Sequence, residues 1–287
     1  MPKNITYTKL IEGIKSVIER GEYLNFLKIV NRFKDDYSMK NTLLIYSQYP
    51  NATCVKGFVK WKKLGRGIKK LHHRIYIYVP IKRKISKEIE GQQDVTGKEI
   101  KEKTRNSKYE IIDTIAYVTK PVYDLRDTYA LKGKKRIPFI DNKLNSNTTK
   151  DLYKRLLNIS PVKVEYKQID PDVDGYYSIK ENKIVLQENL SQDDKTATLL
   201  HELCHCMYDE YKLNNKNKSE VFTESVAFLV ADNYGFDTAT NSFEYIITWV
   251  KDDFKDFMQM IPKIESASKK FIKLIDENEF KQEKIIA

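Results

Sequence analysis

The run Leu199-Leu-His-Glu-Leu-Cys-His-Cys206 contains the pattern H-E-x-x-H, formed by His201, Glu202 and His205. On a helix, positions i and i+4 share one face a turn apart, so the two imidazoles can hold one ion between them. Glu202 stands beside the first imidazole and can serve as general base toward a water that the ion activates. The chain has four histidines, and half of them are in this motif. The bland alternative is two surface histidines on an ordinary amphipathic helix. The ion expected from such donors is Zn²⁺, which needs a third protein ligand and an open position. The residues after His205 are Cys206-Met-Tyr-Asp-Glu-Tyr211, so no glycine and third histidine follow directly. Glu224 is the expected third ligand. In the helix expected over residues 220–231 it shares a face with Ala227, Phe228 and Ala231, and a carboxylate buried there without a partner is costly. Glu220, one turn earlier, competes for the role or orients a ligating histidine.

The elements that must position these groups are legible nearby. Ser191 and Asp194 form a capping box, and Ala197, Leu200, Cys204 and Met207 repeat at helical spacing behind it. Residues 183–187 read as a strand after a turn at Glu181-Asn182, with residues 175–179 as its hairpin partner. A hairpin followed by a helix carrying H-E-x-x-H is the layout of zincin-type sites, where an edge strand holds a peptide by main-chain hydrogen bonds.

Composition bounds the rest. A chain of 287 residues with 41% hydrophobic content suits one or two domains with real cores. No uninterrupted apolar stretch approaches the roughly 18 residues of a membrane span, and residues 1–7 lack a secretory h-region. Cys54, Cys204 and Cys206 do not make a disulfide framework, so a reduced cytoplasm is expected. Charge is divided unevenly. Residues 1–150 hold 33 Lys and Arg against 15 Asp and Glu, a net +18. Residues 151–287 hold 18 against 25, a net −7. The expected fold is α+β in two domains: a basic α+β domain over 1–128, a linker over 129–150, and a mainly helical domain with a small sheet over 151–287 that carries the metal motif. A basic domain suits a polyanion, nucleic acid being the usual one, although a lysine-rich genome produces the same bias.

Within the basic half, residues 5–49 read as helical and Pro50 ends the run. Residues 53–59 and 74–80 read as strands. Between them lies Lys60-Trp-Lys-Lys-Leu-Gly-Arg-Gly-Ile-Lys-Lys70. Cations interleaved with an aromatic ring suit single-stranded DNA: Lys60, Lys62, Lys63, Arg66, Lys69 and Lys70 track phosphates while Trp61 stacks on bases. The alternative for Trp61 is a core anchor. Residues 82–108 are polar and read as a mobile loop or an extended hairpin tip. Residues 109–118 and 121–125 return to a strand-like pattern. His72 and His73, neighbours on an expected strand, point to opposite faces and are taken as solvated.

The order of several blocks resembles a known family. Asn41-Thr-Leu-Leu-Ile-Tyr-Ser-Gln-Tyr-Pro50, Gly57-Phe-Val-Lys-Trp61, Leu64-Gly-Arg66, the strand ending at Pro80 and Pro121-Val-Tyr-Asp-Leu-Arg-Asp-Thr128 look like the N-terminal domain of ArdC-type antirestriction proteins. Gly175-Tyr-Tyr177, H-E-x-x-H and Glu224-Ser-Val-Ala-Phe228 are similar to the attached zincin-like metallopeptidase domain, and Ser242-Phe-Glu-Tyr-Ile246 with Trp249 resembles its C-terminal helix. The resemblance implies a single-stranded-DNA-binding domain fused to a metal-binding peptidase-like domain. It also implies a mobile-element protein that protects incoming DNA from restriction. One departure is clear: the family's Lys-Lys-Gly-Glu-Lys turn is here Lys70-Leu-His-His-Arg74. Three functions remain in play. They are a DNA-associated zinc peptidase acting on an unidentified protein, a DNA-binding protein with a non-catalytic zinc site, and a regulatory peptidase that cleaves a repressor-like protein.

Overall fold

The structure, a computed structural model, describes residues 7–88, 109–133, 149–208, 216–236 and 254–286. Three helices open the chain: α1 (Tyr7–Glu19), α2 (Tyr23–Phe33) and α3 (Met39–Gln48). Ser38 caps α3 by accepting from the Asn41 N–H, and the helix closes just before Pro50. Short elements follow: β1 (Val55–Lys56), α4 (Phe58–Lys63) and β2 (Arg66–Ile68). The strand expected over residues 53–59 is therefore cut short. The turn beginning at Gly57 lets Trp61 point inward while lysines face out, and the Trp61 N–H donates to the Gly57 carbonyl.

β3 (Ile75–Glu88) and β4 (Tyr109–Asp124) form a long antiparallel ribbon, in register from Ile75 opposite Val122 to Glu88 opposite Tyr109. Of residues 82–108, expected as a mobile loop or an extended hairpin tip, residues 82–88 are strand, in keeping with the hairpin alternative. Residues 89–108 lie outside the described residues. β4 turns at a 3-10 segment (Leu125–Asp127) into β5 (Thr128–Ala130), which pairs with β2. Asp124 closes this corner: its buried carboxylate accepts from Thr53, Cys54 and Arg126 backbone N–H groups and from the Arg126 guanidinium. His73 is exposed, as expected, with its ring stacked on Tyr49, centroids 5.1 Å apart.

The second half contributes α5 (Thr149–Ile159), β6 (Lys163–Lys167), β7 (Gly175–Ser178), β8 (Lys183–Gln187), α6 (Gln192–Met207), α7 (Lys216–Asn233) and α8 (Phe254–Ile286). Its sheet has the order β6-β8-β7, with β6 parallel and β7 antiparallel to β8, so β7 is an edge. The architecture is α+β. Ser242 to Ile246 and Trp249 lie outside the described residues.

The hydrophobic core does not divide at the expected 129–150 connection. One buried cluster runs from Ile14, Tyr23, Leu27 and Leu43 into Leu200, Val226, Leu229 and Phe271. Buried hydrogen bonds stitch the same junction: Tyr23 Oη with Ser225 Oγ at 2.9 Å, Asn31 Nδ2 to the Leu229 carbonyl at 3.0 Å, and the Met39 N–H to Glu265 at 2.9 Å. Of the opening helices, α2 packs on α7, where Asn31 also donates to the Asp232 carboxylate, while α3 meets α8 at Glu265. Net charge counts surface groups and is blind to where apolar faces meet. A smaller cluster of Phe33, Ile45, Val55, Ile75, Ile77 and Val122 sits under the base of the ribbon. No described helix is long and apolar enough to cross a membrane.

Candidate metal centre

α6 carries the motif, and its start is fixed as the sequence suggests. Ser191 accepts from the Asp194 N–H at 3.1 Å, and its hydroxyl donates to the Asp194 carboxylate at 2.6 Å. Leu199, Leu200, Leu203 and Cys204 are buried behind the helix, which turns His201 and His205 toward a pocket of about 560 Å³. β7 forms another wall. Gly175 allows that approach, since a Cβ there would stand 2.8 Å from Thr198 Cγ2 and 2.8 Å from the Val185 carbonyl oxygen.

His201 Nε2 and His205 Nε2 lie 3.0 Å apart. The carboxylate of Glu220 faces both, with Oε2 3.5 Å from His201 Nε2 and 3.6 Å from His205 Nε2. Two ligands about 2.0–2.1 Å from a tetrahedral ion stand about 3.3–3.4 Å apart, so these three atoms fit one cation. Glu224 meets His201 from the other side: its Oε1 is 3.2 Å from Nδ1. Thr223 Oγ1 is in the corresponding place for His205, 3.4 Å from its Nδ1. Among the described residues, His201, His205 and Glu220 are the group of donors that converges on a point. Glu224 is brought to the site but not to that point. One helical turn separates the two acids, and the angle at which α7 crosses α6 decides which of them reaches the Nε2 side. Sequence spacing does not contain that angle.

The electrostatics suit a cation. Burial alone would lower the His201 pKa, yet hydrogen bonds from Glu220 and Glu224 outweigh it and push it up to about 10. The same two histidines hold the Glu220 carboxyl far below its ordinary range. The carboxylates of Glu220 and Glu224 thus face the two imidazoles, where positive charge is favoured. Glu202 is buried, 8% exposed, and burial raises its pKa against the pull of both histidines. It accepts from the Tyr177 backbone N–H on β7, a contact the sequence reading did not include. Burial pushes the Cys204 and Cys206 thiols up, and neither joins the donor cluster. A larger concavity of about 910 Å³ between α1, α3 and β3 has Asp36 and Lys40 as its charged lining and holds no comparable constellation.

The residues expected to meet DNA behave differently from one another. Trp61 is fully buried, and its Nε1 donates to the Tyr123 carbonyl at 2.9 Å. Stacking on a base would require that ring to leave its pocket, so the core-anchor alternative holds and the stacking role is withdrawn. Lys60 is exposed, 3.7 Å from Asp36. Arg66 is tied down by Thr128 Oγ1 at 2.6 Å, and Lys69 donates to the Arg126 carbonyl at 2.5 Å. Lys62, Lys63 and Lys70 are exposed, with no carboxylate partner among the described residues.

No protein-family model matches the chain. It is 21% identical over 269 residues to an uncharacterized protein of Bacillus anthracis, an alignment covering 84% of this chain. The chain spans 46% of the length of that curated relative. Among solved structures, it is similar to the antirestriction protein ArdC of plasmid R388 in its metal-free form, at 14% identity and a TM-score of 0.49 over 84% of this chain and 85% of that one. The Mn(II)-bound form of the same protein matches at 16% identity and a TM-score of 0.49, over 84% and 88% of the two chains.

Proposed function

We propose that this protein is a zinc-dependent peptidase of the ArdC type, joined to a basic face that binds single-stranded DNA, and that it protects the DNA of a mobile element from restriction. The observation that carries the peptidase reading is the convergence of His201 Nε2, His205 Nε2 and Glu220 Oε2 beside the buried Glu202. In this reading Glu220, rather than Glu224, is the third ligand. Glu224 accepts the Nδ1–H of His201 and so fixes the tautomer that presents Nε2 to the ion. Two imidazoles, one carboxylate and an open side are the donor set of a catalytic zinc site. When bound, the ion supplies Lewis acidity, polarising a carbonyl and lowering the pKa of water.

The chain's own residues do the rest. The free edge of β7 offers backbone groups to an extended peptide, which lies across the pocket as an added strand. Glu202, held by the Tyr177 N–H and raised by burial, takes a proton from the attacking water and delivers it to the departing amine. Tyr176 and Ile179, 41% and 61% exposed, flank the peptide path. A purely structural ion would not need a buried base, which favours catalysis over the binding-only alternative. The DNA-binding part rests on the net +18 of residues 1–150, the unpaired Lys62, Lys63 and Lys70, and the sequence blocks that resemble ArdC-type proteins.

The test combines loading and activity. Purified protein should carry about one zinc per chain by this ligand count. It should cleave itself or a DNA-associated protein, and Glu202→Gln should keep the metal and lose the cleavage. Zinc loading without cleavage of any protein, in wild type and variant alike, would leave a DNA-binding protein with a structural ion.

A further inference from the structure

The burial of Trp61 leaves the basic face without the ring that single-strand binding needs, and two other rings stand in the open there. Tyr129 on β5 is 49% exposed and lies directly across from Gly67 on β2. Its ring rests on the bare glycine: a Cβ at Gly67 would stand 2.5 Å from Tyr129 Cζ and 2.7 Å from its hydroxyl. One side of the tyrosine thus rests on the β2–β5 pair, over a residue that has no side chain to lift it. Phe58 opens α4 and is 55% exposed. Neither ring contacts another aromatic ring among the described residues. A single exposed phenylalanine is ordinary on a protein surface, and it is the cations around it that give this one a use. Around these rings the chain places Lys62, Lys63, Arg66, Lys69 and Lys70, with no acid among residues 57–74, while Asp36 lies near Lys60 and the largely buried Asp127 is engaged by His73. Exposed rings beside a marked excess of cations do not suit a neutral protein partner. They match a polyanion whose flat, unpaired bases are accessible.

We infer that Tyr129, seated on Gly67, and Phe58 are the surfaces on which bases of single-stranded nucleic acid stack, with the surrounding lysines on the phosphates. This rests on the nucleic-acid-binding reading above and deepens it by assigning the rings. Gly67 then has a function of its own: it sets the height and tilt of the tyrosine platform. The face is single-strand-selective because both rings need a base free of its complement.

The experiment uses the full chain and a fluorescent oligothymidylate at low salt. Tyr129→Ala should weaken binding about 5- to 150-fold, the range for removing one stacking ring, with the salt slope unchanged because no phosphate contact is lost. Tyr129→Phe should restore it, and Phe58→Ala should weaken it independently. Gly67→Ala keeps the tyrosine but displaces its ring, so a several-fold loss there separates platform geometry from mere ring content. Photo-crosslinking with halogenated uracil should mark Tyr129 or Phe58 and leave Trp61 unmarked. Wild type that binds no oligonucleotide overturns the nucleic-acid reading and this inference together. Wild type that binds while both alanine variants bind equally well overturns the ring assignment alone and leaves a purely electrostatic contact.

Discussion

The metal centre and the basic face around α4 use charge in opposite ways. At α6 and α7, four ionisable side chains meet within 3.0–3.6 Å in a partly buried pocket, where low dielectric makes each partner matter to the others. At α4, β2 and the turn after it, six cations spread over a largely exposed surface, and among the described residues only Lys60 of the six forms an ion pair with a carboxylate. Fields of that kind add over distance and are screened by salt. One displaced atom should therefore disable the first region, while the second should degrade in small steps.

The largest effect that could break this contrast is at Glu202. Glu202→Gln preserves shape and removes the base, so proteolysis should fall about 10²–10⁴-fold with metal content and thermal midpoint unchanged. Undiminished turnover would move the base elsewhere. Next is Trp61→Ala, which should destabilise the fold by about 3–5 kcal/mol in chemical denaturation, as for a fully buried aromatic. Unchanged stability with weakened DNA binding would return Trp61 to the surface.

The third test separates the two acids of α7. Glu220→Ala should leave the protein without stoichiometric metal, whereas Glu224→Ala should weaken affinity about 10- to 100-fold, as loss of a ligand-orienting partner does. Chelator competition reads both, and the reverse order would make Glu224 the ligand. pH adds a sign. The His201 pKa is raised, to about 10, so its ion pairs stabilise metal-free protein fully below the unfolded value near 6.5. That stability is lost as pH rises from there through about 10. Metal affinity should run the other way, climbing over the same window because the ion must displace that proton. The smallest effect belongs to the basic face: Lys62→Glu with Lys63→Glu should flatten the salt slope of single-strand binding by about 1.4, at about 0.7 per lost phosphate contact. Stability should stay within about 0.5 kcal/mol, as for exposed positions.

Local periodicity explains why the helix of the H-E-x-x-H motif is legible in the sequence. His201 and His205 face one way because 3.6 residues make a turn, and Ser191 with Asp194 starts the helix wherever the rest of the chain goes. The α+β class, the helical character of residues 5–49 and the hairpin of β7 with β8 are legible for the same reason. Tertiary structure decided what depends on the meeting of distant faces. The crossing of α6 and α7 chose Glu220 over Glu224 for the Nε2 side. The packing of α2 against α7 joined halves that net charge divides. The corner at Tyr123 and Asp124 took Trp61 inside and left Tyr129 lying on Gly67. A sequence specifies which side of each element is apolar, but which partner covers that side is settled only when the elements compete for the same buried space.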